Sequence, residues 1–87
     1  MTNYTDTVAN FNELVRLCKG KHQFWLIYYP MTQEGYFPIS IVIEKSPEES
    51  YYIVVFSPTL EDVIAAALMQ LQGQCFEKRI DGNPAFN

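Results

Sequence analysis

Positive charge is scarce in this chain. Six lysines and arginines stand against ten acidic residues, for a net charge of −4 with histidine neutral, and no Lys or Arg occurs between Lys45 and Lys78. A phosphate backbone is gripped by Lys and Arg, which displace its counterions. Direct binding to nucleic acid is therefore not expected. Histidine is scarcer still. His22 stands alone, among Gly20, Lys21 and Gln23, away from any Ser or Cys in a nucleophile motif of the kind a base would activate. The two cysteines, Cys18 and Cys75, do not make a metal site either: His22 follows Cys18 closely, but nothing completes a set of four ligands. Both read as free thiols, which suit a reducing cytoplasm.

Other absences narrow the field further. The glycines, Gly20, Gly35, Gly73 and Gly82, are isolated, so no phosphate-cradling loop is present. The longest apolar runs fall far short of the roughly 20 residues that span a bilayer. No basic-plus-apolar segment at the amino terminus reads as a signal peptide, and the expected location is cytoplasmic, with no membrane partner. Paired carboxylates do occur, at Glu48-Glu49 and Glu61-Asp62. A hairpin tip and a helix start already account for them, the second through the helix dipole. The expectation is no catalytic residue, no metal and no cofactor.

Apolar side chains are plentiful, at 48% of residues with 15% aromatic. That rules out the polar, highly charged composition of a disordered chain. Eighty-seven residues make one domain, read as 1–87 with frayed ends at 1–4 and 82–87. So short a chain buries only about 60–65% of its unfolded surface. A partner or a second copy would supplement its core.

The chain divides into five elements. From about Thr5 to Lys19, Val8, Phe11, Val15 and Cys18 fall on one helical face with Leu14 alongside. Thr5 could cap this helix, or Asn10 with Glu13 could form a capping box, and Gly20 ends it. Three strands follow. "FWLIYY" (24–29) stops at Pro30; in 36–45 Ile39, Ile41 and Ile43 alternate with Ser40, Val42 and Glu44; "YYIVVF" spans 51–56. The second helix opens at Ser57-Pro58 or at Thr59 with Asp62 three positions on. It carries Leu60, Val63, Ile64, Ala67, Leu68 and Leu71 as an inward stripe and stops at Gly73. The fold class is α+β in α-β-β-β-α order: a three-stranded antiparallel meander with both helices packed on one face.

Over residues 8–72 this order resembles that of double-stranded-RNA-binding domains. The resemblance implies a lysine-rich start to the second helix, where phosphate is gripped. Here that position holds Thr59-Leu60-Glu61-Asp62, whose carboxylates repel phosphate. A local resemblance, over "FPISIVIEK", "YYIVVF" and "TLEDVIAAAL", is to HicB-type antitoxin domains. That family inserts a further strand before its helix, and its function is not carried over.

The strands place large apolar side chains on both faces. Phe24, Leu26 and Tyr28 oppose Trp25, Ile27 and Tyr29; Tyr51, Ile53 and Val55 oppose Tyr52, Val54 and Phe56. Helices cover one set, and an apolar patch left on the other marks an interaction surface unless the tail from Cys75 folds over it. The expected function is a small acidic, non-enzymatic protein-binding module, such as a bacterial or phage inhibitor, antitoxin or assembly factor. Its contact residues would be Trp25, Tyr29, Tyr52 and Phe56, and a homodimer is expected through the same face. The alternative is an acidic mimic of nucleic acid, with Glu34, Glu61 and Asp62 standing in for phosphates. A small enzyme ranks third. Charge alone supports one prediction: duplex RNA or DNA does not bind at physiological salt. Micromolar binding in fluorescence anisotropy, weakening steeply with salt, would redirect attention to Arg16, Lys19 and Lys21.

Overall fold

A computed structural model describes residues 4–29 and 37–78. The expected fraying concerns residues outside that range, apart from Tyr4. That residue opens the first helix, α1 (Tyr4–Cys18). The helix therefore begins ahead of both expected caps, and Asn10 and Glu13 lie within it. Glu13 instead pairs with Arg16 one turn on, accepting from Nε at 2.8 Å and from Nη2. The buried stripe also differs from the one expected. Thr7, Leu14 and Cys18 are buried with Phe11 and Leu17 against them, while Val8 and Val15 are exposed. The stripe is rotated because α1 packs on the second helix as well as on the sheet, where Phe11 meets Phe24, and packing decides the face when apolar residues surround a helix.

Gly20 ends the turn after α1 with φ 76°, a left-handed value that glycine adopts without steric penalty. The amides of Lys21 and His22 both donate to the Cys18 carbonyl, at 2.9 and 2.8 Å. The chain then enters β1 (Gln23–Tyr28), followed by β2 (Ile39–Ser46) and β3 (Glu49–Ser57). The link between β1 and β2, including the stretch at 31–35, lies largely outside the described residues. Pro47 and Glu48 make the tight turn between β2 and β3. Neither has positive φ, so the turn is not one of the primed types that match strand twist. The mismatch is absorbed beside it, where the register slips between Glu44 and Ser46 and Ser50 and Tyr51 together oppose Lys45.

The second helix, α2 (Leu60–Gln72), resolves the two capping alternatives. Thr59 is the cap, in extended conformation, and its hydroxyl accepts from the Asp62 amide at 3.2 Å. The Ser57 hydroxyl supports it by accepting from the Thr59 amide at 3.3 Å. Glu61 and Asp62 occupy the first turn, where the helix dipole favours negative charge. At the other end Gly73 is the cap with φ −85°, and the left-handed position falls to Gln74 at φ 54°. The Gln74 side chain donates to the Leu71 carbonyl at 3.1 Å. A two-residue strand, β4 (Glu77–Lys78), then pairs with Tyr51 and Tyr52 of β3.

The expected α-β-β-β-α meander is thus present, widened to the order β1-β2-β3-β4, all antiparallel. Both helices lie on one side. The core is Leu14 and Cys18 from α1, Ile41 and Ile43 from β2, Ile53 and Val55 from β3, and Val63, Ile64, Ala67 and Leu71 from α2. Burying a leucine or isoleucine side chain contributes roughly 1.5–3 kcal/mol, and this cluster is what holds the layers together. Leu60, expected inward, is exposed at the first turn.

An added Cβ at Gly20 would meet nothing within 4 Å, so its cost is conformational alone. Gly20→Ala should lower stability by about 1 kcal/mol, and Gly20→Asn by less, because Asn tolerates the left-handed region. Urea denaturation reads this as a drop in midpoint at unchanged slope. Equal midpoints for Gly20→Ala and wild type would contradict the strained turn.

Candidate interaction surface

The register of the sheet assigns every strand side chain to a face. Ile41 and Ile43 lie under the helices, so their cross-strand partners Leu26 and Val55, and Phe24 and Ile53, share that side. The other side consists of three full rows and, past the bulge at the turn end, the pair Ser46 and Glu49. Gln23, Glu44, Tyr52 and Glu77 form the first; Trp25, Val42 and Val54 the second; Ile27, Ser40 and Phe56 the third. Tyr29 continues the same alternation past the end of β1. Neither described helix covers these rows. Trp25 is 39% exposed and Phe56 52%, while Val42 and Ser40 between them on the central strand are buried. One end of the face is therefore aromatic and apolar. The other carries the carboxylates of Glu44 and Glu77.

This geometry brings together four of the seven expected contact residues: Trp25, Tyr52 and Phe56 share the uncovered face, with Tyr29 at its margin. Glu61 and Asp62 lie on the helix side of the sheet, at the start of α2. Glu34 is outside the described residues. Glu44 and Glu77 were missed as margin residues, since their place depends on register and on the pairing of β4. The tail, up to Lys78, does not cross the face. Its β4 segment extends the sheet edgewise, and Phe76 packs against the core, its ring 5.1 Å from that of His22.

His22 is an anchored residue and not a loose linker. It is partly buried, and its Nδ1 donates to the Lys45 carbonyl at 2.8 Å; a carbonyl can only accept, which sets the tautomer. The ring thereby ties the α1–β1 turn to the far end of β2. Cys18, one helical turn before it, is a core residue, and burial pushes its thiol pKa up, away from the nucleophilic thiolate form. The concave ground beside them is a shallow depression lined by Val15, Cys18, Lys19, His22 and Phe24. Among the described residues, no group of three or more His, Cys, Asp or Glu side chains is placed to hold a metal ion. No described helix is long and apolar enough to cross a membrane.

Comparison with protein-family models, with curated proteins and with solved structures finds no match to this chain. Its reading rests on its own geometry.

The two thiols are unpaired, Cys18 buried and Cys75 exposed. In the native protein one thiol should react promptly with Ellman's reagent and the second only on unfolding. Cys75→Ser should remove the prompt fraction. Prompt reaction of both would show that Cys18 is not in the core.

Proposed function

We propose that this protein is a protein-binding module whose contact surface is the sheet face opposite the helices. The observation that carries this reading is the exposure of Trp25 and Phe56 on that face, flanking a buried row. Aromatic side chains there offer large apolar area, and uncovered apolar surface costs about 25 cal/mol per Å² relative to its burial. Charge sets the chemistry of the partner. Glu44 and Glu77 border the aromatic ground at one end, so the complementary surface is apolar at its centre with Lys or Arg at one margin.

The acidic-mimic reading is less well supported. A mimic would array its carboxylates along one side, whereas Glu44 and Glu77 lie on one side of the sheet and Glu61 and Asp62 on the other.

Affinity capture from the native host, with partners identified and then purified, tests the reading. Phe56→Lys and Glu44→Lys should each weaken binding of the purified partner at least tenfold, with thermal midpoints close to wild type. Phe56→Lys should also reduce the negative heat capacity of binding, the mark of apolar burial. Capture unchanged by both substitutions would move the contact elsewhere on the molecule.

A further inference from the structure

The two edges of the sheet are built differently. At one edge β3 is paired to β4, a strand of two charged residues, Glu77 and Lys78. Short length and charge are the usual means of keeping a sheet edge from pairing with another chain. At the other edge β1 has none of these protections. From Gln23 to Tyr29 there is no charged residue, proline or glycine, and its pairing with β2 runs without a bulge.

The backbone groups at that edge can be identified. The Tyr29 amide donates to the Pro38 carbonyl across the ladder at 2.8 Å. Hydrogen-bonded pairs alternate along an antiparallel ladder, so Trp25, Ile27 and Tyr29 direct their amides and carbonyls toward β2. Phe24, Leu26 and Tyr28 direct theirs outward. The side chains tell the same story. Leu26 and Tyr28 lie on the helix side yet are 46% and 64% exposed, because α2 lies against β2 and β3 and does not extend over β1. Phe11 reaches β1 near its start, meeting Phe24 edge-on with ring centroids 6.2 Å apart. Apolar side chains are therefore exposed on both faces of β1, whose outer edge pairs with no described strand.

We propose that a second copy of this chain pairs with the edge of β1, antiparallel across a two-fold axis at Leu26, joining the two sheets into one. The register follows from the outward groups. A two-fold axis perpendicular to the sheet keeps the helices of both copies on one side, so paired residues must share a face. Centring the outward set on Leu26 places Leu26 opposite Leu26 of the second copy and Phe24 opposite its Tyr28, each as a hydrogen-bonded pair. All outward amides and carbonyls of Phe24, Leu26 and Tyr28 are then used. Between them Trp25 falls opposite Ile27 of the second copy. Aromatic–aromatic and aromatic–β-branched pairs are favourable cross-strand combinations, and with no charge in the strand no like charges meet. The contact is isologous and closes on itself. It does not depend on the role of the uncovered face, although it would set two such faces side by side.

Sedimentation of the full chain at micromolar concentration tests this. The expected species is a dimer of about 20 kDa, twice the 10.1 kDa chain. Leu26→Lys, which sets like charges across the axis, should give a folded monomer. Register is tested by cross-linking in a Cys75→Ser background. Leu26→Cys should form a disulfide-linked dimer on mild oxidation, since hydrogen-bonded partners lie about 5.5 Å apart at Cα and within disulfide reach. Trp25→Cys should not, because its own copy is diagonal, roughly 7–8 Å away. A wild-type monomer overturns the proposal. So does a dimer that survives Leu26→Lys, that dissociates with Phe56→Lys instead, or that cross-links through Trp25→Cys in preference to Leu26→Cys.

Discussion

Ile41 and Ile43 of the central strand face a layer of Leu14, Val63, Ile64, Ala67 and Leu71 contributed by the two helices. Those helices can cover only one side of the sheet. That single constraint organises the molecule. It determines which alternate residues of β2 and β3 become core, and it leaves the complementary set, from Trp25 to Phe56, on the other side. Here the elements after α2, as far as Lys78, extend the sheet sideways.

The narrowness of the helical layer has a second consequence. α2 lies against β2 and β3, and α1 meets β1 near its start through Phe11 and Phe24, so the rest of the outer strand is incompletely covered even on the helix side. The molecule compensates at the ends of the strands. His22 ties the first turn to the Lys45 carbonyl and packs on Phe76, and Lys45 sits 5.3 Å above the Tyr51 ring. These contacts fasten the end of the sheet nearest the β2–β3 turn. The opposite end, with Tyr28, Phe37 and Leu60, is the more exposed.

Charge is distributed to match. Glu61 and Asp62 serve the start of α2, Glu13 is engaged by Arg16, and Arg16 in turn holds the Glu13 carboxyl below its ordinary pKa by hydrogen bonding. Among the described residues, Glu44, Glu77 and, beyond them, Glu49 stand at the turn end of the face away from its aromatic ground. The one buried thiol lies in the core, and the one histidine is occupied by a backbone carbonyl.

Much of this was legible in the chain. Element order and the antiparallel meander followed from punctuation by Gly and Pro and from the alternation in 39–44, which are local signals; the same signals left the start of α2 open between Ser57-Pro58 and Thr59, and the structure chose Thr59. Period-2 alternation also divided each strand into its two faces. It could not say which face the helices would take, because both sets in β1 and β3 are apolar and either could serve as core. The rotation of α1 that buries Thr7 and exposes Val8 and Val15, the left-handed Gln74 beside Gly73, and the β4 pairing that places Glu77 next to Tyr52 were equally hidden. Each depends on how elements distant in sequence pack, and a helix with apolar residues around much of its girth has no preferred face until a neighbour supplies one. Sequence alone determined the two helices, the three long strands and the shortage of catalytic and cationic groups; the tertiary structure added β4 and decided which apolar residues remain uncovered, because burial belongs to the packed layers and not to any one segment.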